Sequence, residues 1–191
     1  MGNNYFTDPL VFLVQALFGL YCYVIVLRFF LQIFRADFYN PISQLIVKAT
    51  APLLRPLRRL IPGLAGMDLA SLVLAWLVKT LELTLIWLLV KGEFQLFGAL
   101  AWSIPELVGV TINLFLIAVV ILAIVSWFAP AGYNPAMNLF QSLANPLLRP
   151  ARRWLPPFSG IDLSPMLVGT GLILLQMLLL PPLKVLTGSP F

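Results

Sequence analysis

Residues 40–69 read NPISQLIVKATAPLLRPLRRLIPGLAGMDL, and residues 134–163 repeat the pattern as NPAMNLFQSLANPLLRPARRWLPPFSGIDL, at an offset of 94 residues without a gap (134 − 40). With the preceding residue of each copy included, identity falls at Tyr39, Asn40, Pro41, Leu45, Pro52, Leu53, Leu54, Arg55, Pro56, Arg58, Arg59, Pro62, Gly66, Asp68 and Leu69. Their counterparts in the second copy include Asn134, Pro135, Pro146, Arg149, Pro150, Arg152, Arg153, Pro156, Gly160 and Asp162. An internal repeat this close to identity decides the architecture before any other pattern is weighed.

Each copy opens with Asn-Pro, an N-cap followed by proline at the first helical position. Ile42, Leu45, Ile46 and Ala49 then fall at helical spacing, as do Ala136, Leu139, Phe140 and Leu143, so a short amphipathic helix is expected in both. The basic cluster follows. Arg55, Arg58 and Arg59, and again Arg149, Arg152 and Arg153, stand at i, i+3, i+4 and share one face if the segment is helical. Pro56 and Pro150 oppose a regular helix there, so one or two turns or a kinked segment are expected. Asp68 and Asp162 sit where N-caps of the next apolar runs belong.

The flanks of both copies are apolar. The 191-residue chain is 61% hydrophobic, 10% charged and has a net charge of +5. Soluble domains carry about a quarter of their residues as charges, so an integral membrane protein is expected. Residues 10–34, 69–90, 106–129 and 163–180 are the four transmembrane helices, each run long enough to cross a bilayer. Residues 91–105, with Phe94, Phe97 and Trp102, are too short and mixed to cross, and predict an interfacial hairpin over 93–105. The fourth span is expected to stop at Pro181-Pro182.

The fold class is therefore an all-α integral membrane protein of two tandem parallel repeats, each a helix, an interfacial basic segment and a second helix. The first repeat covers 1–92 with its interfacial segment at 40–62, and the second covers 106–191 with its segment at 134–156. Eight of the twelve basic residues (Arg35, Lys48, Arg55, Arg58, Arg59, Arg149, Arg152 and Arg153) lie in the repeat loops. The positive-inside bias puts those loops in the cytoplasm and both termini outside. Met1–Pro9 lacks the positive start of a secretory signal.

The basic positions sit between apolar runs, which points to anionic lipid headgroups rather than nucleic acid. Charge alone would orient the chain. Prolines, a glycine and an aspartate recurring at fixed spacing favour a shaped surface for lipid or for a protein partner, another copy of the chain included. Inside the membrane runs, Lys79 and Glu82 are spaced to pair on one helix face, and Glu82 corresponds to Gln176 in the second half. The third span matches the first at an offset of 98 residues, pairing Gln15 with Asn113 and Arg28 with Ser126. Arg28 is close enough to its helix end to snorkel toward the interface, and Gln15, Asn113 and Ser126 read as interhelical hydrogen-bond partners. The alternative use of Lys79 and Glu82 is a cation path in a small oligomeric transporter.

An enzyme is not expected. The chain has no histidine and one cysteine, Cys22, and its seven acidic residues form no acid–base pair, metal cluster or phosphate loop. No cofactor and no metal are called for.

Two ordered copies of NP, PLLRP-x-RR-x-x-P and G-x-DL, with DLSP at Asp162–Pro165 and DLAS at Asp68–Ser71, resemble the YggT/YlmG family over nearly the whole chain. The resemblance implies a multi-pass protein of the bacterial inner membrane, similar to members linked with osmotic stress tolerance, ion homeostasis and neighbouring cell-division genes. Plastid relatives are associated with cytochrome b-f cofactor attachment and nucleoid distribution. It implies no catalytic residue, and favours an adaptor or assembly factor supporting envelope or osmotic-stress physiology.

Overall fold

A computed structural model describes residues 4–63, 66–128, 135–154 and 162–191. Within them lie six helices: α1 (Asn4–Ile33), α2 (Pro41–Leu60), α3 (Leu69–Lys91), α4 (Leu96–Phe128), α5 (Pro135–Trp154) and α6 (Ser164–Thr187). Four of these (α1, α3, α4 and α6) contain stretches long and apolar enough to cross a membrane, which fits a multi-pass membrane protein. Asn134, Pro156 and Gly160, together with the Ser126 side chain, lie outside the described residues.

The kinked basic segment expected after Pro52 is instead the second half of one continuous helix. α2 runs through Pro52 and Pro56, and α5 through Pro146 and Pro150. A proline leaves the carbonyl four residues earlier without its helical donor. In α2 those carbonyls belong to Lys48 and Pro52, and Lys48, Pro52 and Pro56 are all exposed. The missing bonds therefore fall on the outer face, where water can replace them. The opposite stripe, Ser43, Ile46, Thr50 and Leu54, is buried.

The interfacial hairpin expected over 93–105 is also corrected. Helix α4 begins at Leu96 and carries Pro105 inside it, leaving only Gly92–Gln95 as the turn after α3. Gly92 closes α3 with φ +74°, a left-handed cap that glycine adopts without strain. The added turns of α4 are held by α3: Trp76 Nε1 donates to the Leu100 carbonyl at 3.0 Å, and the Thr80 hydroxyl to Ser103 Oγ at 3.1 Å. Ala99, Trp102 and Ser103 are buried by that contact. This packing overrides the proline. Likewise α6 does not stop at Pro181-Pro182 but continues to Thr187, and α1 starts at Asn4 with Pro9 inside.

Helix α1 packs on α3, α4 on α6, and the two pairs join along α3 and α4. Small residues on α3, Ala70, Ser71 and Ala75, are almost fully buried and let the backbones approach. One apolar cluster gathers Cys22, Ile25, Leu54, Leu74, Val78 and Leu114 from α1 to α4. A second joins Leu31, Ile46, Ala118, Val119, Leu143 and Leu148, so α2 and α5 both cover the same end of the bundle. At the opposite end Trp87, Trp102 and Phe191 pack ring to ring, with centroids 5.1–6.3 Å apart.

Candidate functional site

The surface built by the repeat starts with Asn40. Its Oδ1 accepts the Ile42 amide at 2.9 Å, capping α2, and its Nδ2 donates to the Pro135 carbonyl at 2.5 Å. One side chain thus starts α2 and ties it to the first residue of α5. The two basic helices form one layer.

The arginines do not act alike. Arg58 reaches ten residues ahead to Asp68, Nη2 to Oδ2 at 2.5 Å, and Arg152 does the same to Asp162, Nε to Oδ2 at 2.8 Å. Each pair braces the end of its basic helix to the start of the next span. Arg55, Arg59, Arg149 and Arg153 are exposed and have no acidic partner among the described residues. Of the three guanidinium groups that the sequence places in each copy, one is a brace and two have no acidic partner among the described residues. The clue was in the sequence, where opposite charges recur ten residues apart in both copies.

Asp68 occupies the N-cap position of α3, yet its carboxylate makes no capping bond to the backbone. Its oxygens accept from Arg58 and from the Ser71 hydroxyl at 2.6 Å. Asp162 is not the N-cap either: that position is Leu163, and Asp162 stands one residue before it, its Oδ1 accepting the Ser164 amide at 2.9 Å. Burial pushes both carboxyls up, but the bonds from Arg58 and Ser71 in one case, and from Arg152 and Ser164 in the other, outweigh it. Both end below the ordinary carboxylate value. In the DLAS copy, Ser71 supplies a hydroxyl one position later than Ser164 stands after Asp162.

The polar residues of the apolar helices converge on a cavity of about 340 Å³. Gln15, Lys79, Glu82, Glu106, Asn113 and Gln176 are among its walls. Lys79 Nζ bonds Glu82 Oε2 at 2.8 Å with both side chains buried, as their spacing predicts. Lys184 Nζ meets Glu106 Oε1 at 3.0 Å. Sequence reasoning missed this second pair, because ending α6 at Pro181 and starting α4 at Glu106 placed both residues at helix ends. The four charges cancel. Arg28 is 6% exposed and reaches onto α2. Its Nη1 donates to the Val47 carbonyl at 3.1 Å and to Thr50 Oγ1, both on α2.

The CCB3/YggT family model matches the chain twice, over residues 7–89 and 101–183. The chain belongs to the CCB3/YggT family. Among its relatives, protein PA0392 of Pseudomonas aeruginosa is 45% identical over 183 residues, covering 94% of this chain and 92% of that protein. YggT of Escherichia coli K12 is 38% identical over 163 residues, 84% of each chain. A Vibrio alginolyticus protein from the proC 3′ region is 38% identical over 167 residues, 86% of this chain and 90% of that one. No solved structure matches the chain. The two matched segments each contain one brace, Arg58 with Asp68 and Arg152 with Asp162.

Proposed function

We propose that this protein is a non-enzymatic adaptor or assembly factor of the bacterial inner membrane, with α2 and α5 as its docking layer on the cytoplasmic side. The observation that carries the reading is that Asn40 joins the two basic helices while Arg55, Arg59, Arg149 and Arg153 stay exposed and unpaired among the described residues. Four free guanidinium groups suit anionic headgroups and acidic surfaces of a partner. In this reading the two halves sit parallel in the bilayer, and the layer supports envelope or osmotic-stress physiology.

The decisive variant replaces those four arginines with glutamate and leaves Arg58 and Arg152 in their braces. It inserts and folds normally, loses in-cell crosslinks from positions beside Arg59 and Arg153, and fails to restore growth at high osmolarity to a deletion strain. Full crosslinking together with full growth sinks the adaptor reading. Orientation is read separately: in a Cys22→Ser background, Glu93→Cys is labelled by an impermeant maleimide in intact cells and Arg59→Cys is not. The cation-path reading is less favoured, because both carboxylates facing the cavity are already bonded to lysines.

A further inference from the structure

Arg28 stands between Leu27 and Phe29, five residues before the end of α1. A guanidinium held this deep is costly unless another group compensates its charge. Its Nη1 is satisfied by Val47 and Thr50, and Thr50 is fixed as an acceptor because its own proton goes to the Ile46 carbonyl at 2.8 Å. Nε and Nη2 of Arg28 have no hydrogen bond among the described residues. The carboxylate that acts on it is Asp68, and Asp68 is already engaged by Arg58 and Ser71. The Arg58–Asp68 pair is neutral as a unit. One positive charge remains over.

That charge borders an open cleft of about 590 Å³ between the end of α1, helix α2 and the turn into α3. Arg28, Arg58, Gln32 and the carboxylate of Asp68 form a polar wall, and Phe38, Ile61 and Met67 an apolar one. Gln32 Nε2 donates to the Gly66 carbonyl at 3.3 Å, which fastens the turn that frames the cleft. Gly66 has φ +81°, a conformation that suits glycine. The cleft lies at the level of α2, the depth at which a phospholipid carries its phosphate if α2 rests on the membrane surface. The second half has no equivalent charge: Ser126 stands at the 98-residue offset and Leu122 at the 94-residue offset.

We propose that this cleft binds one phosphate ester per chain, the headgroup of an anionic phospholipid, through the free Nε–Nη2 edge of Arg28. That edge of a guanidinium matches two phosphate oxygens in parallel. The apolar wall accepts the glycerol and the first acyl carbons. A phosphodiester carries a single negative charge and balances Arg28 one to one. Free phosphate is a mixture of monoanion and dianion near neutral pH, and its dianion meets more repulsion from Asp68. The site is separate from the exposed arginines, so its loss leaves the adaptor reading untouched.

The test uses the full chain, delipidated in a neutral detergent and observed by native mass spectrometry with phosphatidylglycerol, phosphatidylcholine or inorganic phosphate. Wild type retains one phosphatidylglycerol at least ten times more tightly than phosphatidylcholine. Arg28→Gln loses that preference, Arg28→Lys loses it several-fold, and Lys91→Gln, beside Trp87 at the opposite end of the bundle, keeps it. Inorganic phosphate that binds once per chain, and is lost in Arg28→Gln, supports the anion site and assigns it to free phosphate. Wild type with no preference for phosphatidylglycerol and no bound phosphate overturns the proposal however the variants fold. So does an Arg28→Gln protein of native helicity that keeps the tight anion.

Discussion

In the first half the Asp68 side chain is 6% exposed and held by both Arg58 and Ser71, whereas in the second the Asp162 side chain is 20% exposed and held by Arg152 and the Ser164 amide. The same brace therefore sits in two environments, one buried and one partly open. The contrast deepens among the spanning helices. Where the first half has Arg28, Lys79 and Glu82, all buried, the second has Ser126, Ile173 and Gln176 at the corresponding offsets. Helix α3 buries much of its length, and α6 buries only Ser164, Pro165 and Leu172. The brace is common to both halves. The charged interior belongs mainly to the first.

The largest expected break in this contrast comes from Lys79→Met, which leaves Glu82 charged and unpaired. A buried pair broken from one side costs about 3–5 kcal/mol. Unfolding in mixed micelles should register that loss, and Lys79→Met with Glu82→Leu should recover most of it. Ile173→Lys, which gives α6 the lysine of α3 with Gln176 as its neighbour, should not stabilise the second half. Lys184→Met should cost less than half as much as Lys79→Met, because its pair with Glu106 is about a third exposed.

Asp68→Asn comes next, at about 1.5–3 kcal/mol for the loss of charge-assisted hydrogen bonds, with Asp162→Asn lower at about 1 kcal/mol. The same aspartates set a pH dependence. Their folded-state values are depressed below 3.8, so their contribution is complete above that pH and is lost as pH falls through the folded value. Acid titration of wild type should show a loss of stability below about pH 4 that Asp68→Asn flattens more than Asp162→Asn does. Equal flattening would mean that the two braces are equivalent despite their different burial.

Ser71→Ala removes one hydroxyl bond to Asp68 and should cost about 0.5–1.5 kcal/mol. Ser164→Ala should cost less, since its amide remains. The smallest effects belong to Arg55→Gln and Arg149→Gln, within about 0.5 kcal/mol of wild type in thermal or denaturant unfolding.

The doubled motif and the four apolar runs were readable from residue type and spacing, because bilayer length and helical period constrain them directly. The Lys79–Glu82 pair was readable for the same reason, three residues apart on one helix. What escaped was set by contacts between elements. Pro105 looked like a boundary until Ala99, Trp102 and Ser103 were seen packed against α3, and that packing hid Glu106 from its partner Lys184. Pro52 and Pro56 looked like breakers, yet their lost bonds fall on an open face. The partners of Arg28, Val47 and Thr50, escaped because no sequence pattern places α2 over the end of α1.

The brace closes within each half, joining residues ten apart, while the polar cavity takes its walls from α1, α3, α4 and α6 together. A lone two-span unit of this design would carry its own surface clamp but would leave Gln15 and Glu82 facing lipid. Such a unit must pair with a second copy to bury them. The turn at Gly92–Gln95 therefore does more than connect: it turns what would be a concentration-dependent dimer into a single folding event. Once the halves travel together, the shared cavity draws one ion pair from each, Lys79–Glu82 from the first and Glu106–Lys184 from the second.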